Sequence, residues 1–366
     1  MKRIVLTVIA LCLFLTGCSS WMEGHYASVE PYKEQAHKGE DGIPVVSNRV
    51  GIRAELTKIV ESAVESRTIS IEKMEIDQVK ESMDLEIQYL LQNNETAAFA
   101  VEDVSYEIGI TGGTSAIVVT VKYNHNRSEI QRIRQVEDME TAKELIFAAL
   151  DEVEPGIVLK VTNFRNIDFA QMVDDYALEN PDRVMEIPQV TANFYPERGA
   201  VRIIDLKFTY QNSRESLKSM KRYVEPRFTS AALYVSGEEE QSVKYAMLYA
   251  FLMETTQYTV ETSITPSYSL LRHSVGDSKA FATVYGAMCR RAGLDCQLVT
   301  GTKAGEPWFW NMICEDENYY HVDLLRASAD GYYQKFTDSQ MDGYVWDYTA
   351  YPQCGMPVEE TTDGAE

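Results

Sequence analysis

The sequence predicts an α+β protein with two repeated units of helices and strands, followed by a third region built from a central helix and strands. The first observation behind this prediction is an internal repeat of helical and strand-like segments, whose copies lie about 85 residues apart. The second is a later helix with one apolar face, which strand-like segments follow. The chain has 366 residues, of which 45% are hydrophobic, enough for two or three globular domains.

The N-terminal residues resemble a bacterial lipoprotein signal. Lys2 and Arg3 precede an apolar run over residues 4–15, which is shorter than the span of about 20 residues that a transmembrane helix needs. The run ends in Leu-Thr-Gly-Cys, which resembles the lipobox at which a chain is cut and its cysteine acylated. The resemblance implies a signal peptide over residues 1–17 and a lipid on Cys18 that holds the protein at the extracytoplasmic face of the cell membrane. An ordinary signal peptide with a chance cysteine is the alternative.

Residues 18–48 are polar and aperiodic, which predicts a flexible tether, and the acidic residues 357–366 predict a disordered tail.

The net charge of the chain excludes some classes of partner. The formal net charge is -22 at pH 7. This excess argues against nucleic acid, whose binding proteins carry basic patches, and against adhesion of the protein surface to anionic lipid. We therefore expect membrane contact to run through the lipid on Cys18.

The internal repeat occupies residues 49–135 and residues 136–222. Each unit contains an amphipathic helix, a short strand, a second helix and two strands, in this order. The last two strands of each unit alternate apolar and polar residues, as half-buried strands do. Neither unit carries a catalytic combination of residues, so both are expected to be spacer or binding modules.

Residues 223–356 carry three motifs. The first is Gly276-Asp-Ser-Lys, at the start of a helix whose apolar positions share one face and whose end fits a cap at Gly293. The second is Trp308-Phe-Trp-Asn, and the third is Tyr320-His-Val-Asp. In order, spacing and flanking residues, these motifs resemble those of the transglutaminase-like family, part of the papain-related superfamily. The resemblance implies a central helix that packs against an antiparallel sheet.

Two substitutions separate this sequence from the active members that it resembles. Such members place a nucleophilic cysteine in the first motif, a base histidine in the second and an aspartate in the third. Here those positions hold Ser278, Trp308 and Asp323. A serine hydroxyl needs a general base within hydrogen-bonding reach, whereas an indole N–H only donates. The motifs therefore predict a degenerate catalytic site, with no catalysis and no cofactor.

Three functions stay open on these motifs. The favoured hypothesis is a domain that binds a peptide, glycan or protein partner at the cell envelope through aromatic residues of the old cleft. The cleft candidates are Trp308, Phe309, Tyr319 and Tyr344. The alternative is a hydrolase or transferase with an atypical site based on Ser278, for which His273 is a candidate base. In a third hypothesis the cleft is filled and the domain is structural, with Asp277 or Ser278 as a helix cap.

Four cysteines remain after the signal and the lipidation position are set aside, and all lie near the C-terminus. They are Cys289, Cys296, Cys314 and Cys354. An exported protein can keep disulfides, and four cysteines allow three pairings among which the sequence does not choose. Buried free thiols are the alternative. No metal site is expected, because no short paired spacing of Cys or His occurs.

Overall fold

The computed structural model describes residues 37–38, 42–111, 114–253 and 259–355. The signal peptide, the lipidation candidate Cys18, most of the tether and the acidic tail lie outside these residues. Within the described ranges, no helix combines the length and the apolar character that crossing a membrane requires. The chain divides into two compact units, and the first contains the described residues up to Leu90 together with Glu102–Lys122.

The first unit is centred on a five-stranded sheet. Its elements are β1 (His37–Lys38), β2 (Pro44–Val46), α1 (Arg49–Glu61), β3 (Ser66–Ile71), α2 (Ile76–Asn93), β4 (Val101–Thr111) and β5 (Thr114–Tyr123). The strand order is β1-β2-β3-β5-β4, with β2 parallel to β3 and β5 antiparallel to β3. Helix α1 begins where the Asn48 side chain accepts a hydrogen bond from the Gly51 amide at 2.9 Å.

The second unit contains a four-stranded sheet in its N-terminal part. The elements are α3 (Glu95–Ala100), α4 (Arg127–Gln131), β6 (Arg134–Val136), α5 (Met139–Asp151), β7 (Gly156–Val161), α6 (Phe169–Glu179), β8 (Gln189–Tyr195) and β9 (Arg202–Thr209). The strand order is β6-β7-β9-β8. A Cβ on Gly156 would lie 2.3 Å from the Leu206 carbonyl oxygen, so only glycine lets β7 approach β9 this closely.

The helices and strands around each of these two sheets follow the predicted order of helix, strand, helix, strand and strand. Each also has a three-residue strand before its first helix, and this strand pairs in parallel with the next one. The sequence analysis did not include β2 or β6, because three residues are too few to display a strand period. That the two units are copies of one another stays a prediction.

The remaining elements surround a second four-stranded sheet. They are α7 (Arg214–Tyr234), α8 (Gln241–Met253), α9 (Pro266–His273), α10 (Ser278–Arg291), β10 (Cys296–Lys303), β11 (Glu306–Glu315), β12 (Asn318–Val322), α11 (Leu324–Asp330) and β13 (Tyr344–Trp346). The order is β12-β11-β10-β13, and all neighbours are antiparallel. Helix α10 is the central helix, and its residues from Ala280 to Cys289 are all buried. The mixed α+β class is confirmed, although α7 runs through residue 222, where the second predicted unit ends.

The two faces of this sheet bury different groups, because successive strand residues point to opposite sides. Ile313, Val322 and Cys296 pack in one core with helix α10. On the other face, Trp310 and Met312 belong to a second core, formed with residues of the segment 336–354. The candidate site lies where the N-terminus of α10 meets strand β11.

Candidate functional site

The first candidate position, Ser278, begins helix α10. The carboxylate of the preceding residue, Asp277, accepts a hydrogen bond from the Ala280 amide at 3.0 Å, so Asp277 is the helix cap. The Ser278 hydroxyl accepts a hydrogen bond from the Phe309 amide at 3.3 Å, and only 6% of the residue is exposed. The structure thus decides between the two caps that the sequence left open, and it holds Ser278 against strand β11.

The other two candidate positions, Trp308 and Asp323, are in direct contact. The indole Nε1 of Trp308 donates a hydrogen bond to Oδ2 of Asp323 at 2.9 Å. A neutral histidine could make the same bond through one ring N–H and would keep a second ring nitrogen as a proton acceptor. The indole has no second nitrogen. The side chain at position 308 therefore donates to the aspartate and offers no ring nitrogen as a proton acceptor.

The carboxylate of Asp323 is fully occupied by its neighbours and is 1% exposed. Its five donors are Trp308 Nε1 at 2.9 Å, the Tyr344 hydroxyl at 2.5 Å and Lys303 Nζ at 3.2 Å, all to Oδ2, and the amides of Leu325 at 3.0 Å and Arg326 at 3.2 Å, both to Oδ1. The two amide bonds also make this residue the N-cap of helix α11. Every lone pair that could hold a substrate or a water molecule is thus used within the protein.

Lys303 belongs to this site, and the sequence analysis missed it. Its ammonium lies 4.7 Å from the ring centroid of Trp308 and 4.9 Å from that of Tyr344, besides its bond to Asp323. A cation above an aromatic face is attracted by the ring quadrupole. The pairing of β10 with β13 sets Lys303 opposite Tyr344, and no local sequence pattern reports that register. Burial, followed by the charge of Asp323, raises the pKa of Tyr344, so its hydroxyl stays a donor.

The candidate base His273 and the histidine of the third motif, His321, are not hydrogen-bonded to Ser278 among the described residues. His273 is exposed at the end of α9, and its ring packs edge-on against Tyr268 with centroids 5.5 Å apart. His321 is fully buried, with Nδ1 accepting from Trp310 Nε1 at 2.9 Å and Nε2 2.9 Å from Asp338 Oδ1. Both ring nitrogens of His321 are therefore used in hydrogen bonds to residues other than Ser278.

The structure gathers two of the four aromatic cleft candidates around Asp323. Tyr344 is buried in the network, and Trp308 is half-buried beside it. Phe309 is also half-buried, with Lys279 Nζ 5.7 Å from its ring centroid. Tyr319 lies at the other end of β12, about 13 Å away along the strand at about 3.3 Å per residue. Open clefts of 410–760 Å³ occur elsewhere among the described residues, and none of the candidate site residues lines these clefts.

One group of side chains has metal-binding residue types. The ligand atoms of His321, Asp338 and Cys354 lie within 4.8 Å of one another. Because the Trp310 indole can only donate, Nδ1 of His321 must accept and Nε2 must carry the proton that points to Asp338. A metal on Nε2 would require loss of that proton, and burial raises the pKa of the Cys354 thiol to about 12. This donor set does not fit a divalent metal and is better explained as packing.

Comparison with known proteins identifies the last part of the chain. Residues 229–354 match the family model described as the transglutaminase-like superfamily, so the chain contains a transglutaminase-like domain. A crystal structure described as a TGase aligns over 46% of this chain and 50% of its own length, with 10% identity and a TM-score of 0.25. A Parabacteroides distasonis structure, described as a candidate protease, aligns over 69% of this chain and 39% of its own, with 8% identity and a TM-score of 0.22. This chain thus spans half or less of either structure. No curated protein matches it.

Proposed function

We propose that this protein is an exported lipoprotein whose transglutaminase-like domain binds a partner at the cell envelope without chemical turnover. The observation that carries the proposal is the hydrogen bond from the Trp308 indole to Asp323. At this position a base would have to stand between the aspartate and the hydroxyl of Ser278. The indole takes the place of the base and offers no lone pair in the ring plane for a proton.

The state of Ser278 also supports a domain without turnover. A serine hydroxyl becomes a nucleophile when a neighbouring base removes its proton. The partner of the Ser278 hydroxyl is the Phe309 amide, which is a donor, and the residue is 6% exposed. These contacts favour a domain without turnover over the alternative of a hydrolase or transferase based on Ser278.

The proposed contact surface consists of the two half-buried aromatic residues and their lysines, namely Trp308, Phe309, Lys279 and Lys303. Each ring carries a lysine ammonium near its face, at 4.7 Å for Trp308 and 5.7 Å for Phe309. Rings of this kind give a large contact area at low entropic cost, and the lysines add hydrogen-bond donors. A peptide, a glycan or the surface of another envelope protein could use both.

The two N-terminal sheet units are proposed to be copies of one module that spaces this domain from the membrane. Their shared strand orders, β2-β3-β5-β4 and β6-β7-β9-β8, support this proposal, as does the parallel pairing of the first two strands in each. The lipid on Cys18 and the extracytoplasmic location rest on the N-terminal sequence.

Turnover and binding are tested separately. The full chain is incubated with acyl-donor peptides and hydroxylamine, and with peptidoglycan fragments, while product formation and bound ligand are measured in parallel. We expect binding that falls at least about tenfold in the Trp308→Ala variant, and product at the level of Ser278→Ala. Product that disappears in Ser278→Ala would contradict the proposal of an inactive site. Equal binding by wild type and Trp308→Ala would contradict the contact surface.

A further inference from the structure

Two of the four cysteines share one core. Cys289 lies on helix α10 and Cys296 begins strand β10, and both pack in the core between the helices and the sheet. Their exposures are 0% and 2%. The short connection between the helix and the strand brings the two positions to the same end of the core, where the Leu294 amide donates to the Cys289 carbonyl at 3.0 Å.

The thiol of Cys296 packs against the part of helix α10 that carries Cys289. A Cβ placed on Gly286 would lie 3.8 Å from the Cys296 sulfur. Gly286 is three residues before Cys289, so the two share a helix face. Arg290 fixes the strand from the next position, because its Nη1 donates to the Cys296 carbonyl at 3.0 Å. Burial, followed by a hydrogen bond between the two thiols, raises the pKa of Cys289.

The other two cysteines are excluded from this pair by strand geometry. Cys296 stands opposite Ile313, which faces helix α10, so the next residue, Cys314, points to the other side of the sheet. Cys354 belongs to the core on that other side.

Cys314 and Cys354 are also too far apart to pair with each other. Tyr319 lies between them, opposite Cys314 on one side and bridged to Cys354 on the other. Two steps of about 4.8 Å between strands put their Cα atoms about 10 Å apart, beyond the limit of about 7 Å for a disulfide.

We propose that Cys289 and Cys296 form an intramolecular disulfide when the chain folds in the presence of a thiol-exchanging disulfide such as oxidised glutathione. All four cysteines are free thiols in this structure, which corresponds to the reduced form. One protein thiolate attacks the oxidant, whose sulfur–sulfur bond breaks and releases one thiol. The second protein thiolate attacks the resulting mixed disulfide and releases the second thiol, so two protein thiols are oxidised and one disulfide is reduced.

Burial of both thiols determines when this exchange can occur. A thiolate must reach the oxidant, and neither sulfur is accessible once the core has closed. The bond is therefore expected to form rapidly during refolding and at least about tenfold more slowly in the folded, reduced protein. The inference holds whichever partner the transglutaminase-like domain binds.

The test refolds the reduced full chain from urea in a glutathione buffer at oxidising poise, followed by alkylation, trypsin digestion and mass spectrometry. We expect residues 280–290 and residues 292–303 to be recovered as one disulfide-linked pair of peptides. The double variant Cys314→Ser/Cys354→Ser is the matched control and should give the same linkage. Oxidation should also raise the melting temperature of the wild type by about 5 °C, as a short closed loop does.

Two results would overturn the inference. One is complete alkylation of Cys289 and Cys296 after refolding in a glutathione buffer whose redox potential oxidises a reference dithiol. The other is a linkage that involves Cys314 or Cys354 in the wild type. Both single variants, Cys289→Ser and Cys296→Ser, are measured, so that the test still stands if one of them fails to fold. Neither variant should show the rise in melting temperature on oxidation.

Discussion

At the residue scale, the indole of Trp308 lacks the acceptor nitrogen that a neutral histidine at this position would offer. It still donates to Asp323 at 2.9 Å, and the remaining capacity of that carboxylate is taken by Tyr344, Lys303 and two backbone amides. A buried carboxylate without donors would be costly, so these five bonds offset the cost of burying Asp323 and fix its orientation.

Restoring the two substituted positions should restore a reactive thiol. In the double variant Ser278→Cys/Trp308→His, an imidazole beside the thiol is expected to lower the pKa of that thiol. We expect its alkylation by iodoacetamide at pH 6.5 to be at least about tenfold faster than in Ser278→Cys alone. The measurement is the rate at which the tryptic peptide of residues 273–279 is modified.

The matched control for this gain of reactivity adds Asp323→Asn to the double variant. Without the carboxylate, the imidazolium loses its partner, and the rate should fall back toward that of the single variant. Equal rates in the single and double variants would mean that position 308 does not face the thiol, and the assignment of the three positions would be wrong.

His321 predicts a pH dependence of stability. Burial lowers its pKa below the ordinary 6.5, against the opposing effect of Asp338. At pH values between the pKa of His321 in the folded state and its pKa in the unfolded state, the unfolded chain binds more protons. The contribution of His321 to the free energy of unfolding should therefore be fully present above about pH 6.5 and should be lost as the pH drops through the folded-state pKa. The His321→Gln variant, which can keep one acceptor and one donor, should lose less stability between pH 7.5 and pH 5.5.

The readout is the urea midpoint of wild type and His321→Gln at several pH values in that range. Subtracting the two curves removes the contribution of every other titrating group, which both proteins share. Parallel curves would show that the environment of His321 does not disfavour its protonation.

At the scale of elements, the start of helix α10 depends on Asp277. Its carboxylate accepts from the Ala280 amide at 3.0 Å and from the Thr262 hydroxyl at 2.9 Å. Removing such a cap costs about 1 kcal/mol. Asp277→Ala should therefore lower the free energy of unfolding by about this amount, whereas Asp277→Ser should keep most of it. Chemical denaturation of the two variants checks the prediction, and an equal loss in both would contradict the capping role.

The sequence predicted most elements because their apolar patterns are long enough to show a period. The second helix expected in each unit is present, as α2 (Ile76–Asn93) and α6 (Phe169–Glu179). Strands β2 and β6 were missed because three residues show no alternation. Their pairing joins residues 25 positions apart, such as Val45 with Ser70 and Arg134 with Leu159, and this is tertiary information.

At the scale of the whole molecule, the N-terminal signal makes a prediction about membrane attachment. A single acyl chain binds membranes only marginally, so stable anchoring requires the diacyl modification that the lipobox implies. In a bacterial host, the wild type should incorporate labelled palmitate and enter the detergent phase of Triton X-114. Cys18→Ala should lose the label and move to the aqueous phase.

Cys12 provides the control for this experiment, because it lies within the predicted signal peptide, residues 1–17. Cys12→Ala should behave like the wild type. Palmitate incorporation that survives in Cys18→Ala would show that the lipid, if present, is attached elsewhere.

The sequence by itself determined the mixed helix and strand character and the order of the three motifs, and it predicted a degenerate site from the indole at position 308. These follow from residue types and from periodicities that are local along the chain. Only the tertiary structure decided that Lys303 and Tyr344 complete the surroundings of Asp323, that Tyr319 lies apart, and that Cys289 is the neighbour of Cys296. These facts depend on strand register and on which face of a sheet a helix covers. Both are fixed by contacts between residues far apart in sequence, and a linear pattern does not encode them.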